Sequence, residues 1–221
     1  MDSCRKSVVS NYANLITDLY RIGDRDRVAL RELLISDPET RDKVLCGPAL
    51  RRAVFEDPQI CEKAPLLYLF VEIYHQLQKH GVHSVDIADC VTTFIALHMF
   101  SMSWFQKPTM TNPVAYINSL IDRLNTKPDP ETAYSIHIQI GSFLLFLTGL
   151  LPDVIGSRAR HGEPDLALYE RIGSSHFQFA NQLRTGSGIN KPEPVQELAQ
   201  HFHNIRQALN SVTTASMPSG M

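Results

Sequence analysis

Apolar residues recur every three or four positions along nearly the whole chain, and strict alternation of apolar and polar residues over the length of a strand is hard to find. A spacing of three or four places apolar side chains on one face of an α-helix. No Asn-Gly or Asp-Gly pair marks a β-hairpin. The pattern therefore predicts an all-α protein.

Prolines and glycines divide this pattern into separate helices. Proline suits the first position of a helix, because its missing N–H group would be unpaired there in any case. Shorter helical segments are predicted at 26–36, 38–46 and 48–57, each with a proline at one end. Longer helices are predicted at 7–22, 65–80, 84–104, 113–126, 130–151, 164–184 and 192–212, with a short connector at 152–160 and loops at 106–112 and 185–190.

The predicted organisation is a single-domain helical bundle over residues 1–212. We expect about eight or nine helices around one core. Short helices occupy 1–63, the main bundle occupies 65–212, and 213–221 is predicted to be a disordered tail. A chain of 221 residues is long enough to bury a sizeable core without disulfide bonds.

Charge and cysteine content narrow the class of protein. The chain has 21 Lys and Arg against 23 Asp and Glu, which argues against a nucleic-acid partner. Its four cysteines form no Cys-x-x-Cys pair, so we expect free thiols in a reducing cytoplasm. The N-terminus lacks the apolar core of a signal peptide. The apolar stretches 90–105 and 140–151 are too interrupted or too short for a membrane span of about 20 residues.

The last predicted helix has the most specific packing pattern. Its apolar residues are spaced by three and four in turn, like the a and d positions of nearly three heptads. Such a seam packs inside the bundle or against a second copy of the chain, which would make the protein a homodimer. The seam consists of Val195, Leu198, Phe202, Ile205, Leu209 and Val212.

Two sets of residues have side chains that could bind a metal. Glu72 and His75 form a Glu-x-x-His pair, a spacing found in di-iron bundle proteins, which need two such pairs. The helical wheel places this pair on a polar face and favours a solvated position. His98, His137 and His176 fall on apolar faces of three helices. They could converge on a metal or haem, but separately hydrogen-bonded core histidines are the simpler interpretation.

The connector before Pro164 carries a cluster of cations: Arg158, Arg160 and His161. The free N–H groups at the start of the next helix could bind a small anion beside them. Alternatively, the cations interact with the carbonyl groups that end the preceding helix.

A distinctive set of residues follows the centre of the predicted helix 130–151: the run GSFLLFLTGLLP from Gly141 to Pro152 and on to Arg158, then Gly162, Pro164, Tyr169-Glu170 and Ile172-Gly173. Together these residues resemble a family of uncharacterised bacterial all-helical proteins. A looser similarity covers residues 67–94, and the chain departs from the family near His75 and Cys90, where the family has Arg and Tyr. The resemblance implies a bacterial, cytosolic, helical protein, and it transfers no functional residue because the family has no established activity.

The sequence contains no phosphate-binding loop, dinucleotide fingerprint, nucleophile elbow or zinc-protease motif. We therefore expect a non-enzymatic cytoplasmic scaffold or regulatory interaction protein with an unknown protein partner and no bound cofactor. The first alternative is a metal- or haem-binding protein, such as an oxidase, that uses the histidines. The second is a small-anion binder at 158–164.

Overall fold

The structure is a computed structural model that describes residues 4–20, 22–57, 59–100, 112–189 and 194–216. These residues form thirteen α-helices and no β-strand, so the prediction of an all-α protein is confirmed for this part of the chain. The helices are α1 (Cys4–Leu19), α2 (Asp24–Ser36), α3 (Pro38–Leu45), α4 (Pro48–Glu56), α5 (Ile60–Lys63), α6 (Pro65–Lys79), α7 (Val85–Phe100), α8 (Pro113–Asn125), α9 (Pro130–Leu150), α10 (Pro152–Ala159), α11 (Leu166–Ser187), α12 (Val195–Gln200) and α13 (Phe202–Ser216).

Several helices begin as the prolines predict, because a polar residue caps the chain just before the proline. The side chain of Asp37 accepts a hydrogen bond from the Thr40 N–H at 2.9 Å. Asn112 accepts one from Ala115 at 2.9 Å, and Asp129 accepts one from Thr132 at 3.0 Å. These bonds satisfy N–H groups that have no partner within the helix.

The predicted number of helices is too low. The four-residue helix α5 was missed because it is too short to show a period. The predicted helix 192–212 is two helices, since the backbone at His201 (φ −102°, ψ 14°) leaves helical geometry between α12 and α13. The apolar spacing runs through this break unchanged, so the pattern could not reveal it.

The two C-terminal boundaries also differ from the prediction. Helix α11 continues through most of the predicted loop and ends at Gly188, whose φ of 65° is the left-handed value favoured at a helix end. Helix α13 extends to Ser216, so residues 213–216 are not a disordered tail. The rest of the tail, and the predicted loop 106–112 except for Asn112, lie outside the described residues.

The chain divides into two compact units. The N-terminal unit comprises Met1–Lys79 and His83–Thr93. Within it, α6 packs against α1, α4 and α5. Arg5 on α1 forms ion pairs with Asp42 on α3 and with Asp86 at the start of α7. The expectation of one domain over residues 1–212 stays a prediction.

The C-terminal unit comprises His80–Val82 and Phe94–Met221 and is built on α9. Helix α9 packs against α8, α10, α11 and α13. Close approach of the helices depends on glycine: a Cβ added at Gly141 would lie 2.8 Å from the ring of Phe177, and one at Gly149 would lie 2.7 Å from the Cβ of Leu209. All six seam residues of α12 and α13 are buried. The seam therefore packs inside the chain, which removes it as the basis for a homodimer.

Among the described residues, Pro130–Leu150 is one helix that is long and apolar enough to cross a membrane by length and composition alone. Its most apolar window has a mean hydropathy of 1.4 and is 72% buried inside the structure. A buried core helix of a soluble protein passes the same test. The absence of a membrane partner stays a prediction.

Candidate functional site

The structure brings His137 and His176 together. His137 lies on α9 and His176 on the neighbouring α11, and their Nδ1 atoms are 2.9 Å apart. Phe179, one turn after His176, packs against both rings, with centroids 5.4 Å from His137 and 6.1 Å from His176. His176 is buried and His137 is half-buried, so the pair is open to solvent on one side only.

Burial keeps both rings of this pair neutral at neutral pH. It lowers the pKa of His137, and together with the charge of His137 it lowers the pKa of His176 to about 4. In a neutral pair, one Nδ1 carries a proton and donates it to the lone pair of the other. Neutral imidazoles are also the form that binds metals.

An open cleft of about 620 Å³ lies beside His137. One wall is formed by the end of α8, the loop after it and the start of α9, and the other wall by the last two turns of α11. Among the described residues that line the cleft, Lys127 is the only charged one, and none is a carboxylate. The lining residues are Leu124, Lys127, Pro128, Ala133, His137, Phe179, Gln182, Leu183, Gly186 and Ser187.

Lys127 holds an unusual backbone conformation at the rim of the cleft. Its φ of 54° makes it the only non-glycine residue with positive φ in the described part of the chain. It follows α8 and donates its N–H to the Leu124 carbonyl at 3.0 Å, in the position where helices usually end with glycine. An L-residue there costs about 1–2 kcal/mol, and such strain is often found at functional sites.

His98 does not join the pair. Its Nε2 lies 3.4 Å from the hydroxyl of Ser142, and its ring packs between Phe143 and Phe146, with centroids 6.0 and 5.3 Å away. Within the described residues, no group of three or more His, Cys, Asp or Glu could hold a metal ion. The three histidines therefore do not form one metal or haem site.

The prediction that Glu72 and His75 are solvated is wrong for Glu72, which is 1% exposed. The polar face of α6 is covered because the helix packs against three others, and Gln76 is buried with it. Gln76 donates a hydrogen bond to Glu72 Oε1 at 2.6 Å. In the described chain, Glu72 Oε2 and His75 Nε2 have no hydrogen-bond partner. Burial, with Arg51 and Lys79 nearby, lowers the pKa of His75 to about 4.

The cations of the connector have partners that compete with an anion. Arg158 pairs with Glu163 at 3.4 Å, and His161 Nδ1 lies 2.9 Å from the Ser157 carbonyl. Asp165 lies just before α11, and its side chain accepts a hydrogen bond from the Leu168 N–H at 2.8 Å. This bond satisfies one of the free N–H groups at the start of the helix. Arg160 is exposed. The contact of His161 with the Ser157 carbonyl agrees with the interpretation in which the cations interact with the carbonyl groups that end the preceding helix. Anion binding at this connector stays a prediction.

Sequence reasoning missed most of the cleft. Its residues come from three helices and a loop, and no motif links them. Lys127 carried one signal, since a lysine between a helix end and Pro128 occupies a position that favours glycine. Phe179 carried another, because it is an aromatic residue three positions from His176 and therefore lies on the same side of the helix.

Acidification from pH 7 to pH 5 is expected to destabilise the protein, in part through His98. Burial lowers the pKa of His98 to about 4, whereas an unfolded histidine has a pKa of about 6.5. Between these values the unfolded chain binds the proton and the folded chain does not. The free energy of unfolding therefore decreases as the pH is lowered towards the folded pKa. His98 accounts for roughly 2 kcal/mol of this loss. In urea unfolding at pH 5, 6 and 7, the free energy of unfolding should depend less on pH for His98→Leu than for the wild type.

A matched control separates this titration from lost packing. Phe146→Leu also removes a ring from the same contact, since Phe146 is buried against His98, but it removes no titratable group. It should lower stability equally at all three pH values. If His98→Leu instead retained the wild-type dependence on pH, titration of His98 would not contribute.

Comparison with known proteins gives no match: no protein-family model matches the chain, and no curated protein or solved structure is significantly similar to it. The resemblance to a bacterial helical family stays a prediction.

Proposed function

We propose that this protein is a non-enzymatic binding protein that takes a small organic anion in the cleft beside His137. The observation that carries the proposal is the charge of the cleft: within the described part of the chain, Lys127 is its only charged lining residue, and apolar side chains make up much of the rest. A cleft of about 620 Å³ lies within the usual range of about 300–1,000 Å³ for small-molecule sites.

The chemistry of the walls suggests the class of ligand. Leu124, Leu183 and the ring of Phe179 offer an apolar surface to the body of the ligand. Lys127 offers a charge-assisted hydrogen bond to an acidic group, and Gln182 offers neutral hydrogen bonds. A ligand with a carboxylate or sulfonate on an aromatic or aliphatic body interacts with all of these groups. Its binding would bury the apolar part of the ligand.

We propose that ligand binding regulates contact with a protein partner, in keeping with the cytoplasmic interaction protein expected from the sequence. A homodimer remains part of the proposal, but it would need a surface other than the seam of α12 and α13. Light scattering at high protein concentration would test for the dimer.

Lys127→Gly is expected to weaken binding while making the protein more stable. Glycine adopts the left-handed conformation without strain, so the free energy of unfolding should rise by about 1 kcal/mol. Loss of the ammonium group should weaken binding of 8-anilinonaphthalene-1-sulfonate, an aromatic anion used as a fluorescent probe, by about tenfold. Fluorescence titration measures the affinity, and thermal unfolding measures the stability.

Two further variants complete the test. Phe179→Leu should also weaken binding of the probe, because it removes the aromatic ring from the wall of the cleft. Leu168→Ala alters another exposed apolar residue of α11 that is not in the lining, and it should leave the affinity unchanged. A Lys127→Gly protein that binds the probe as tightly as the wild type would refute the proposed site.

A further inference from the structure

We propose that His137 and His176 chelate one divalent transition-metal ion through their Nδ1 atoms, and that the site prefers Cu²⁺. This inference goes beyond the anion cleft and rests on the two nitrogens alone. It can therefore hold or fail independently of the ligand that the cleft takes.

The distance between the nitrogens fits a chelate. Two metal–nitrogen bonds of about 2.0–2.1 Å that end on atoms 2.9 Å apart meet at the metal at roughly 90°. This is the angle between neighbouring ligands in the tetragonal nitrogen and oxygen complexes of Cu²⁺ and Ni²⁺. A tetrahedral Zn²⁺ site would need the nitrogens about 3.3 Å apart, so Zn²⁺ should bind less well.

The two helices hold the nitrogens in place before a metal arrives. Helices α9 and α11 pack closely because Gly141 leaves room for the ring of Phe177, and Gly173 leaves room beside Leu144. The buried position of His176 and the contact of Phe179 with both rings keep the two imidazoles next to each other. A site with little freedom to lose binds its ion more tightly.

The proton of the free pair needs no outside acceptor. When the metal binds, the ring that carries hydrogen on Nδ1 changes to the tautomer with hydrogen on Nε2. The two rings then turn so that both Nδ1 lone pairs converge on the metal beside the line between the nitrogens, and no proton is released. Because no third His, Cys, Asp or Glu completes a cluster within the described residues, water fills the remaining positions on the open side at His137.

Copper titration followed by electron paramagnetic resonance tests this site. The experiment uses the Cys61→Ser protein, since the exposed Cys61 thiol would otherwise react with Cu²⁺. The first equivalent of Cu²⁺ should show splitting from two nitrogens. His176→Gln and His137→Gln should each reduce this to one nitrogen and weaken binding at least tenfold. Competition should give the affinity order Cu²⁺ above Ni²⁺ above Zn²⁺.

The control variants separate this site from the other histidines and from the anion cleft. His203→Gln alters an exposed histidine of α13 and should leave the first equivalent unchanged. Lys127→Gly should weaken binding of the fluorescent anion but keep the two-nitrogen copper signal. His176→Gln should keep the affinity for the anion but lose the two-nitrogen signal. Circular dichroism checks that each variant is folded. If neither histidine variant folds, a first equivalent that lacks two nitrogens in the Cys61→Ser protein itself still overturns the proposal. The proposal would be overturned if the signal of the first equivalent of Cu²⁺ lacked splitting from two nitrogens, or if His176→Gln left that signal unchanged.

Discussion

Replacing Gly173 by alanine is expected to lower the free energy of unfolding by about 2 kcal/mol, even though alanine is the better helix former by about 1 kcal/mol. The added Cβ would lie 2.5 Å from Phe202 Cζ and 3.2 Å from Leu144 Cβ. Phe202 cannot easily turn aside, because it is 2% exposed and packs against the ring of Phe177 with centroids 6.0 Å apart. Urea unfolding of the two proteins measures the loss.

Two comparisons show whether the clash itself is the cause. Gly156 also lies in a helix, but nothing is within 4 Å of its added Cβ, so Gly156→Ala should stabilise the protein by up to about 1 kcal/mol. Phe202→Leu removes the ring atoms that the new methyl group meets. Gly173→Ala should therefore cost at least about 1 kcal/mol less in the Phe202→Leu protein. Similar effects of alanine at Gly156 and at Gly173 would contradict this explanation.

Local sequence rules predicted most of the helices because the information lies within a few residues. Asp37 and Pro38 show how: a capping side chain and a proline at the first position define a helix start whatever packs around it. The end of α11 at Gly188 was harder to predict, because Gly186 two residues earlier is also glycine. Only the tertiary structure decides which of the two ends the helix.

The helical wheel failed at Glu72 for a related reason. Periodicity shows which face of a helix is more apolar, and it places the other face in water by default. Helix α6 is covered on more than its apolar face, since eight of its residues are buried, Glu72 and Gln76 among them. A polar residue on a helix with many packed neighbours is therefore poorly placed by sequence pattern alone.

The histidine pair was only half predictable. The apolar pattern placed His137 and His176 on inward faces of two helices, but it could not give the relative register of α9 and α11. That register depends on where Gly141 and Gly173 allow the helices to approach. Lys127 and Phe179, which complete the site, belong to a loop and a helix face whose juxtaposition is set by this packing.

Arg5 is the charged residue on which the N-terminal unit most depends. Its guanidinium pairs with Asp42 at 2.8 Å and with Asp86 at 2.6 Å, and its backbone N–H donates to Asp89 at 2.7 Å. Burial by itself lowers the pKa of Arg5, but the attraction of Asp89 and Asp42 outweighs it, so the pKa is raised overall. The arginine thus links α1, α3 and α7 and balances the Asp89 carboxylate, which has little access to water.

Arg5→Met is therefore expected to lower the free energy of unfolding by about 3–5 kcal/mol. Methionine keeps most of the apolar stem but leaves the Asp89 carboxylate, whose side chain is 12% exposed, without its cation. Asp86→Asn serves as the control: this side chain is 71% exposed, and losing its charge should cost less than about 1 kcal/mol. Urea unfolding measures both. Equal small losses for the two variants would mean that the ion pairs of Arg5 are as weak as surface pairs, whereas a large loss for Arg5→Met alone would mean that burial of Asp89 makes the arginine indispensable.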